Sequence, residues 1–485
     1  MINDDDIYLF EEHSSTLPVW WERKNSAGHG KTRTVVYLDA HLDLQQISPE
    51  SLDRLRACET IDQVKNLEAP NHLNPANRFS FGIENFLYAA HKLDLVDRLI
   101  WVAPPHIPRD YSKSLLDYIQ QMDGITFAEL SGFKRTPSGA LRGKLLGLDI
   151  TICDYQALKG LQIEEGYYLD VDIDYFVDVP ADQLWIDPAH VINQILQQVG
   201  QPELVTVSRA VTSGFTPLSF RFIGDYVVSL LNKNQSDLDY YGKLYSAIED
   251  LTQGHFESGQ LTCQQLLEQR PELPHAYYIK AISGTSERKN TLLAQAQAVD
   301  EAYAFDLARE SIGLLNRKKN LDKNQLQKLL IALNNLELNQ QQRQQAEVAL
   351  AQVSAAAGLA QAAMELLAKQ IGDYADHPDI ALILAASQMQ QSGLREQCRS
   401  LLEMASGHEK NATSAQLYLG DLAFAEENYS VAKEHYQTAH QRASAWIVPL
   451  DRLRNCYEKL ADETQASKIS ATIEKRLTTL ESLIA

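Results

Sequence analysis

From the N-terminus to about residue 230 the chain alternates two periodicities. Short apolar runs of strand composition are DIYLFEE, TVVYLDAH, DRLIWVAPP, GITFAEL, LLGLDITICDY, GYYLDVDIDYF and ELVTVSRAV. Between them lie stretches whose apolar residues recur at helical spacing: SPESLDRLRA, GIENFLYAAHKLDL, SKSLLDYIQQM and DPAHVINQILQQV. Asp187-Pro188 predicts a helix start, with the carboxylate as cap and the proline at the first helical position. Strand–helix alternation predicts an α/β domain over residues 1–234, with a mainly parallel sheet covered by helices. Sites in such folds collect at the carboxyl ends of the strands.

Near residue 235 the pattern changes. β-Branched runs disappear, and Ala, Leu, Gln and Glu dominate. In SAQLYLGDLAFAEENYSVAKEHYQTAHQRA, Leu419-Gly420, Ala432, Tyr436 and Ala439 follow the small/large spacing of a tetratricopeptide repeat. Ala385-Ala386, Cys398, Leu402 and Ala405 hold the same offsets 34 residues upstream. Ala351, Ala363 and Leu367 give a looser echo, and HFESGQLTCQQLLEQRPEL reads as a further unit. Residues 235–485 are therefore expected to form an all-α, tetratricopeptide-like array of helical hairpins. Such an array offers a concave surface to an extended peptide or a partner protein. The alternative is an irregular helical bundle.

Composition narrows the functional classes. With 485 residues, 45% of them hydrophobic, the chain can bury two or three cores. Its formal net charge of −20 argues against a general nucleic-acid or anionic-membrane binder. The five cysteines include no CxxC pair and suit a reducing, cytoplasmic compartment. The acidic start MINDDDIYLFEEHSS lacks the features of a secretion signal, and no run of 18 apolar residues predicts a membrane span. AGHGKT, Ala27 to Thr32, resembles part of a P-loop, but Asn25 stands where the first glycine belongs and a strand follows, which argues against nucleotide binding. Trp20-Trp21 either line an entrance or pack the core.

Two stretches concentrate ligand-type side chains. In YLDAHLDL, strand alternation would put Asp39, His41 and Asp43 on one face. In LDVDIDYF it would put Asp170, Asp172 and Asp174 on one face. Carboxylates crowded in this way repel unless a cation lies between them. Taken alone, DAHLD could be a helix cap with a structural histidine, and DVDID a solvated edge or a calcium loop. Together, at the ends of apolar strands, they point to a metal site. A carboxylate- and imidazole-rich set suits Mn, Fe or Zn, and its oxygen content favours Mn.

These residues carry a family resemblance. YLDAHLDL is similar to the DAHxD motif of the ureohydrolases (arginase and agmatinase), LDVDIDYF to their DxD motif, and EEHS at Glu11 to Ser14 to their earlier DHS element. EEHSSTLPVWWE, FGIENFLYAA, DRLIWVAPP and LDVDIDYF further resemble the peptide-arginase branch. That branch converts arginine in ribosomally made peptides to ornithine with release of urea. The resemblance covers about residues 5–230. It implies an arginase-like fold and two Mn(2+) per chain. His13, Asp39, Asp43 and Asp170 would hold one ion; Asp39, His41, Asp170 and Asp172 would hold the other, with Asp39 and Asp170 bridging. The register among Asp170, Asp172 and Asp174 stays open. Asp43 would carry the proton from water to the leaving amine.

The family's last-strand glutamate is not matched, since VTVSRAVTSGFTP places Ser208, Arg209 and Ser213 there. His72 is a candidate proton shuttle or a loop histidine, and Glu84 a candidate guanidinium contact or a helix-start residue. The implied partner is an arginine-containing peptide, with or without a leader segment. The competing functions are another metal-dependent amidine or amide hydrolase of the same fold, and a non-catalytic repeat-based adaptor. The oligomeric state is left open.

Overall fold

A computed structural model describes residues 4–26, 33–73, 78–105, 116, 118–283, 288–316, 323–370, 378–388, 395–408 and 411–484. Its strands are β1 (Ile7–Phe10), β2 (Arg33–Leu38), β3 (Val96–Val102), β4 (Lys134–Arg135), β5 (Leu141–Leu145), β6 (Leu148–Cys153), β7 (Tyr168–Asp172), β8 (Val177–Asp178), β9 (Gln183–Leu184) and β10 (Leu204–Ser208). Eight of them form one sheet in the order β1-β10-β7-β2-β3-β6-β5-β4, and β8 pairs with β9 apart from it. Pairing is parallel from β1 through β6 and antiparallel in the β6-β5-β4 margin. The mainly parallel sheet expected from the alternation is present.

The central strands are apolar on both sides because both sheet faces are covered. Along β2, Val35 and Tyr37 enter one core, while Val36 and Leu38 enter the other. Trp20 is buried in the first core and Trp21 packs partly buried against it, so the tryptophan pair is core rather than entrance. The helix expected after Asp187 spans Pro188–Val199, and the Asp187 carboxylate accepts the Ala189 N–H at 2.8 Å.

Two expectations change. GITFAEL does not form a strand. Thr126 and Glu129 make a reciprocal capping box that starts a short helix, Phe127–Ser131. The cap satisfies backbone N–H groups locally, which outweighs the strand preference of a few apolar residues. The segment TLPVWWERKNS, which no strand or helix expectation covered, forms the helix Thr16–Ser26. The helix expected over SKSLLDYIQQM and the sequence AGHGKT fall largely or wholly outside the described residues.

After β10 every described element is helical. The helices Gln235–Thr252, Phe256–Gln269 and His275–Ile282 contribute Leu244, Cys263 and Ile279 to the core on one sheet face. At the far end of the chain, Ala445 and Leu480 join the core on the other face. The helical half thus leaves from one face and returns to the other. Hydrophobic burial is continuous across residues 234 and 235. The return is fastened by backbone bonds from Gly124 N–H to Arg442 O (2.9 Å) and from Ala445 N–H to Ile125 O (3.2 Å), and by the ion pair of Arg442 with Asp123 at 3.1 Å. No described helix is long and apolar enough to cross a membrane.

The small/large spacing has a direct structural counterpart. The helices Ala412–Ala425 and Tyr429–Arg442 pack so closely that a Cβ at Gly420 would lie 2.4 Å from the Tyr436 ring. The Tyr436 hydroxyl, at the end of that buried ring, donates to Asp421 at 2.7 Å. Gly420→Ala is expected to force the hairpin apart and destabilise the protein by about 1–3 kcal/mol. Urea or thermal unfolding measures this. An unchanged unfolding midpoint would show that the ring shifts aside without cost.

Candidate metal centre

Sheet register decides which acids reach the rim. Tyr37 pairs with Asp170, Leu38 with Val171, and Ser208 with Asp172. Asp170 is therefore level with Tyr37, inside the sheet and fully buried. Asp172 is the last residue of β7, one pleat (about 7 Å) further toward the carboxyl edge. There the chain turns into a 3₁₀ segment, Ile173–Phe176, and the Asp172 carboxylate caps it by accepting the Asp174 N–H at 3.1 Å. The three acids therefore do not share one strand face. DAHLD behaves alike. β2 stops at Leu38, Asp39 accepts the His41 N–H at 2.6 Å, and the Trp101 indole donates to Asp39 O at 2.9 Å. The alternation expected for Asp39, His41 and Asp43 is replaced by a turn that folds all three over the sheet edge.

Two sets of donor atoms converge: His13, Asp39 and Asp172 in one, Asp39, His41 and Asp174 in the other. Asp39 belongs to both. His13 Nδ1 lies 3.1 Å from Asp39, 3.3 Å from Asp43 and 3.3 Å from Asp172. His41 Nδ1 lies 2.8 Å from Asp174 and 3.6 Å from Asp39, and the Ala40 N–H donates to the other Asp174 oxygen at 3.1 Å. Asp43 stands beside the first set, held by the Tyr37 hydroxyl at 3.1 Å; the same hydroxyl bonds Asp39.

Asp170, expected as a bridging ligand, has a different task. One of its oxygens is 2.7 Å from His13 Nε2, and the other accepts the hydroxyls of Thr16 (3.2 Å) and Thr206. Its place in the converging sets is taken by Asp172, and Asp174 takes the place expected for Asp172. The register places Asp170 a pleat deeper than Asp172, so that Asp172 and Asp174, not Asp170, fall in the converging sets.

The donor atoms fit a cation. An imidazole that gives its Nε2 proton to Asp170 presents a bare Nδ1 to three carboxylates. That buried nitrogen has no hydrogen-bond partner. Lone pair against carboxylate is repulsive unless a metal ion, or a second proton, sits between them. A carboxylate on the far nitrogen is the usual support of a metal-ligating histidine. The protein's own charges reflect the same demand. Burial opposes protonation of His13, yet Asp170 and the neighbouring acids hold its pKa well above the ordinary value. Burial, together with the charge of Asp39, pushes Asp43 up to about 7. Burial and Asp174 raise Asp172 well above the carboxylate range, and burial and Asp39 raise Asp174.

A cavity of about 140 Å³ opens over these groups. His13, His41, Asp43, Asp172 and Asp174 form its base, and Glu84, Gln45, Tyr118, Ser213 and Phe215 its walls. Glu84 lines the cavity. His72 does not line it; its ring sits 5.5 Å from Phe215, which also packs edge-on to His41. Sequence reasoning passed over Tyr37, Thr206 and Glu12. Tyr37 was recoverable, since strand alternation puts it on the face of Asp39. Thr206 needs the register of β10 against β7. Glu12 is 7% exposed, with Ser213 against it, and burial raises its carboxyl to about 8.

Two outcomes follow from this geometry. Asp39→Asn is expected to abolish binding at both sets and Asp174→Asn at one. Asp170→Asn should keep both with affinity weakened about 10- to 100-fold. Metal analysis after dialysis checks this; full occupancy in Asp174→Asn with none in Asp170→Asn would restore Asp170 as a ligand. For Glu12, the folded pKa of about 8 lies above the ordinary glutamate value of 4.5. Between these values the folded state keeps a proton that the unfolded state has lost, so stability falls as pH rises through the window. In chelator-treated protein, Glu12→Gln should flatten the decline in melting temperature from about pH 5 to 8. Parallel wild-type and variant curves would mean the carboxyl is ionised when folded.

No protein-family model matches this chain, and no curated protein matches it.

Proposed function

We propose that the protein is a hydrolase that takes two divalent ions, best filled by manganese, and converts arginine side chains of a ribosomally made peptide to ornithine, releasing urea. The observation that carries this reading is the pair of donor sets sharing Asp39 beneath a cavity whose lining, among the described residues, includes no lysine or arginine. The three-motif resemblance to ureohydrolases supports it. An oxygen-rich donor set with two imidazoles favours manganese. Bound there, the ions would supply Lewis acidity and neutralise the crowded carboxylates.

The chain's own groups have distinct tasks in this scheme. Asp170, steadied by Thr16 and Thr206, fixes the His13 tautomer and turns Nδ1 inward. Asp43, raised toward neutrality, can accept a proton from water and return it to the leaving amine nitrogen. Glu84 on the cavity wall faces an entering cation, and Phe215 and Tyr118 offer flat surfaces beside it. Residues 1–234 carry the chemistry. Residues 235–485, as a tetratricopeptide-like array, hold the peptide, with or without a leader, while one side chain enters. Two complete donor sets argue against a non-catalytic adaptor.

With manganese-loaded protein and arginine-containing peptides, each conversion should lower the peptide mass by ~42 Da, the loss of CN2H2, with urea formed in equal amount. Asp43→Asn should abolish turnover while the ions remain bound. Mass loss without urea would point to a different amidine chemistry, and no turnover of any arginine peptide by metal-loaded protein would sink the proposal.

A further inference from the structure

The exit of β1 and the exit of β10 are joined by paired charges, of which the Arg221 guanidinium is buried and Glu11 and Asp300 are partly exposed. Glu11 lies two residues before His13, and Arg209 directly follows β10. One oxygen of Glu11 accepts from Arg209 Nη1 at 2.8 Å and from Arg221 Nη2 at 2.5 Å. Arg209 Nη2 also pairs with Asp225 at 2.7 Å. Arg221 is 5% exposed and reaches the other way, into the helical half. Its Nη1 pairs with Asp300 at 2.8 Å, and its guanidinium lies 5.5 Å from the centre of the Tyr303 ring. A chain of paired charges thus runs from Asp300 through Arg221 to Glu11, two residues ahead of His13.

The segment that follows Arg209 supplies Ala210, Ser213 and Phe215 to the cavity. It needs outside support. Ala210 has a φ of +46°, a left-handed conformation that a side chain disfavours. Local bonds hold the turn, from Ala210 N–H to the Ser208 hydroxyl and from Thr216 N–H to Ala210 O. Its outer side is pressed by the helix Leu307–Asn316, where a Cβ at Gly214 would lie 2.8 Å from Ile312. Val211 and Leu218 share a small core with Ala296 and Tyr303. The helical half therefore touches this cavity wall through apolar contact and through the ion chain.

We propose that the helical half is a positioning element of the metal site, and that Arg221 is the residue through which it acts: by holding Glu11 against Asp300 it sets the placement of His13 and of the wall from 210 to 216. A guanidinium suits this role because its planar fork binds two carboxylates at fixed angles. A lysine ammonium has no such fork. Loss of Arg221 leaves Glu11 and Asp300 without this shared partner and frees the β1 exit from the helices. This makes the helical half more than a surface for peptide, since it also fixes the shape of the site.

The test uses the full chain with Arg221→Met, Arg221→Lys and the milder Asp300→Asn, and two readouts. Amide hydrogen exchange in the metal-free protein should speed up about tenfold or more at residues 10–13 and 209–216 in Arg221→Met, less in Arg221→Lys, with β2 amides unchanged. Manganese titration should show one of the two sites weakened about 10- to 100-fold, as for loss of an outer partner of a ligand. The metal arm rests on the proposed two-metal site; the exchange arm does not, so a wild type that binds no manganese would defeat that site while the exchange data still decide this proposal. Unchanged protection at 209–216 in Arg221→Met and Asp300→Asn would overturn it. So would a lowered melting temperature with a uniform rise in exchange across the sheet, the mark of a plain structural brace. Should Arg221→Met not fold, the graded comparison of Arg221→Lys with Asp300→Asn carries the same decision.

Discussion

Negative charge crowded at a sheet edge is the constraint around which the α/β half is arranged. Asp39, Asp172 and Asp174 are each less than 5% exposed, and Asp43 and Asp170 lie within hydrogen-bonding range of the same imidazole or close to it. Ionised carboxylates at such spacing disfavour one another, and burial removes the water that would screen them. The protein meets this demand in layers. Backbone N–H groups of Ala40, His41 and Asp174 are spent on carboxylate oxygens, hydroxyls of Thr16, Tyr37 and Thr206 on others, and three imidazole nitrogens face carboxylates as well. What is left over is a place for cations.

The parallel sheet supplies this concentration of acids economically. Parallel strands end together at one edge, so the exits of β1, β2, β7 and β10 stand side by side without long excursions of the chain. The order β1-β10-β7-β2 puts Thr206 beside Asp170 and brings the β1 exit, with Glu11 to His13, beside the wall that follows Arg209. Covering such an edge from both sheet faces with one helical half, tied at Asp300 and again at Arg442, restrains segments that would otherwise be exposed loops.

Local signals carried much of the chain's organisation. The runs at Thr34–Leu38, Leu99–Val102 and Leu204–Val207 are apolar and β-branched enough to be strands in any compact context. The Gly420 to Tyr436 spacing is legible because a ring and a missing Cβ fit each other across a helix pair. Where local readings failed, a competing local interaction or a partner strand intervened. The capping box of Thr126 and Glu129 turned GITFAEL into a helix. The Asp39 carboxylate ended β2 by bonding the His41 amide. Both are short-range hydrogen bonds that period-two alternation does not contain.

The sequence by itself pointed to the acids and imidazoles of the site, because DAHLD, DVDID and the histidine of EEHSS each stand next to a strand-like apolar run. It also determined the division into an alternating half and a helical half, since periodicity is a property of neighbouring residues. The tertiary structure decided which acids converge. Asp170 and Asp174 are chemically equivalent in the sequence, and only the pairing of Tyr37 with Asp170 leaves one a pleat below the rim while the other turns over it. It likewise decided that Glu84 reaches the cavity while Phe215, not His72, forms its wall, and that Arg221 joins Glu11, 210 positions before it, to Asp300, 79 positions after it. Such choices depend on strand register and on contacts between distant segments, and neither is written in the spacing of residues along the chain.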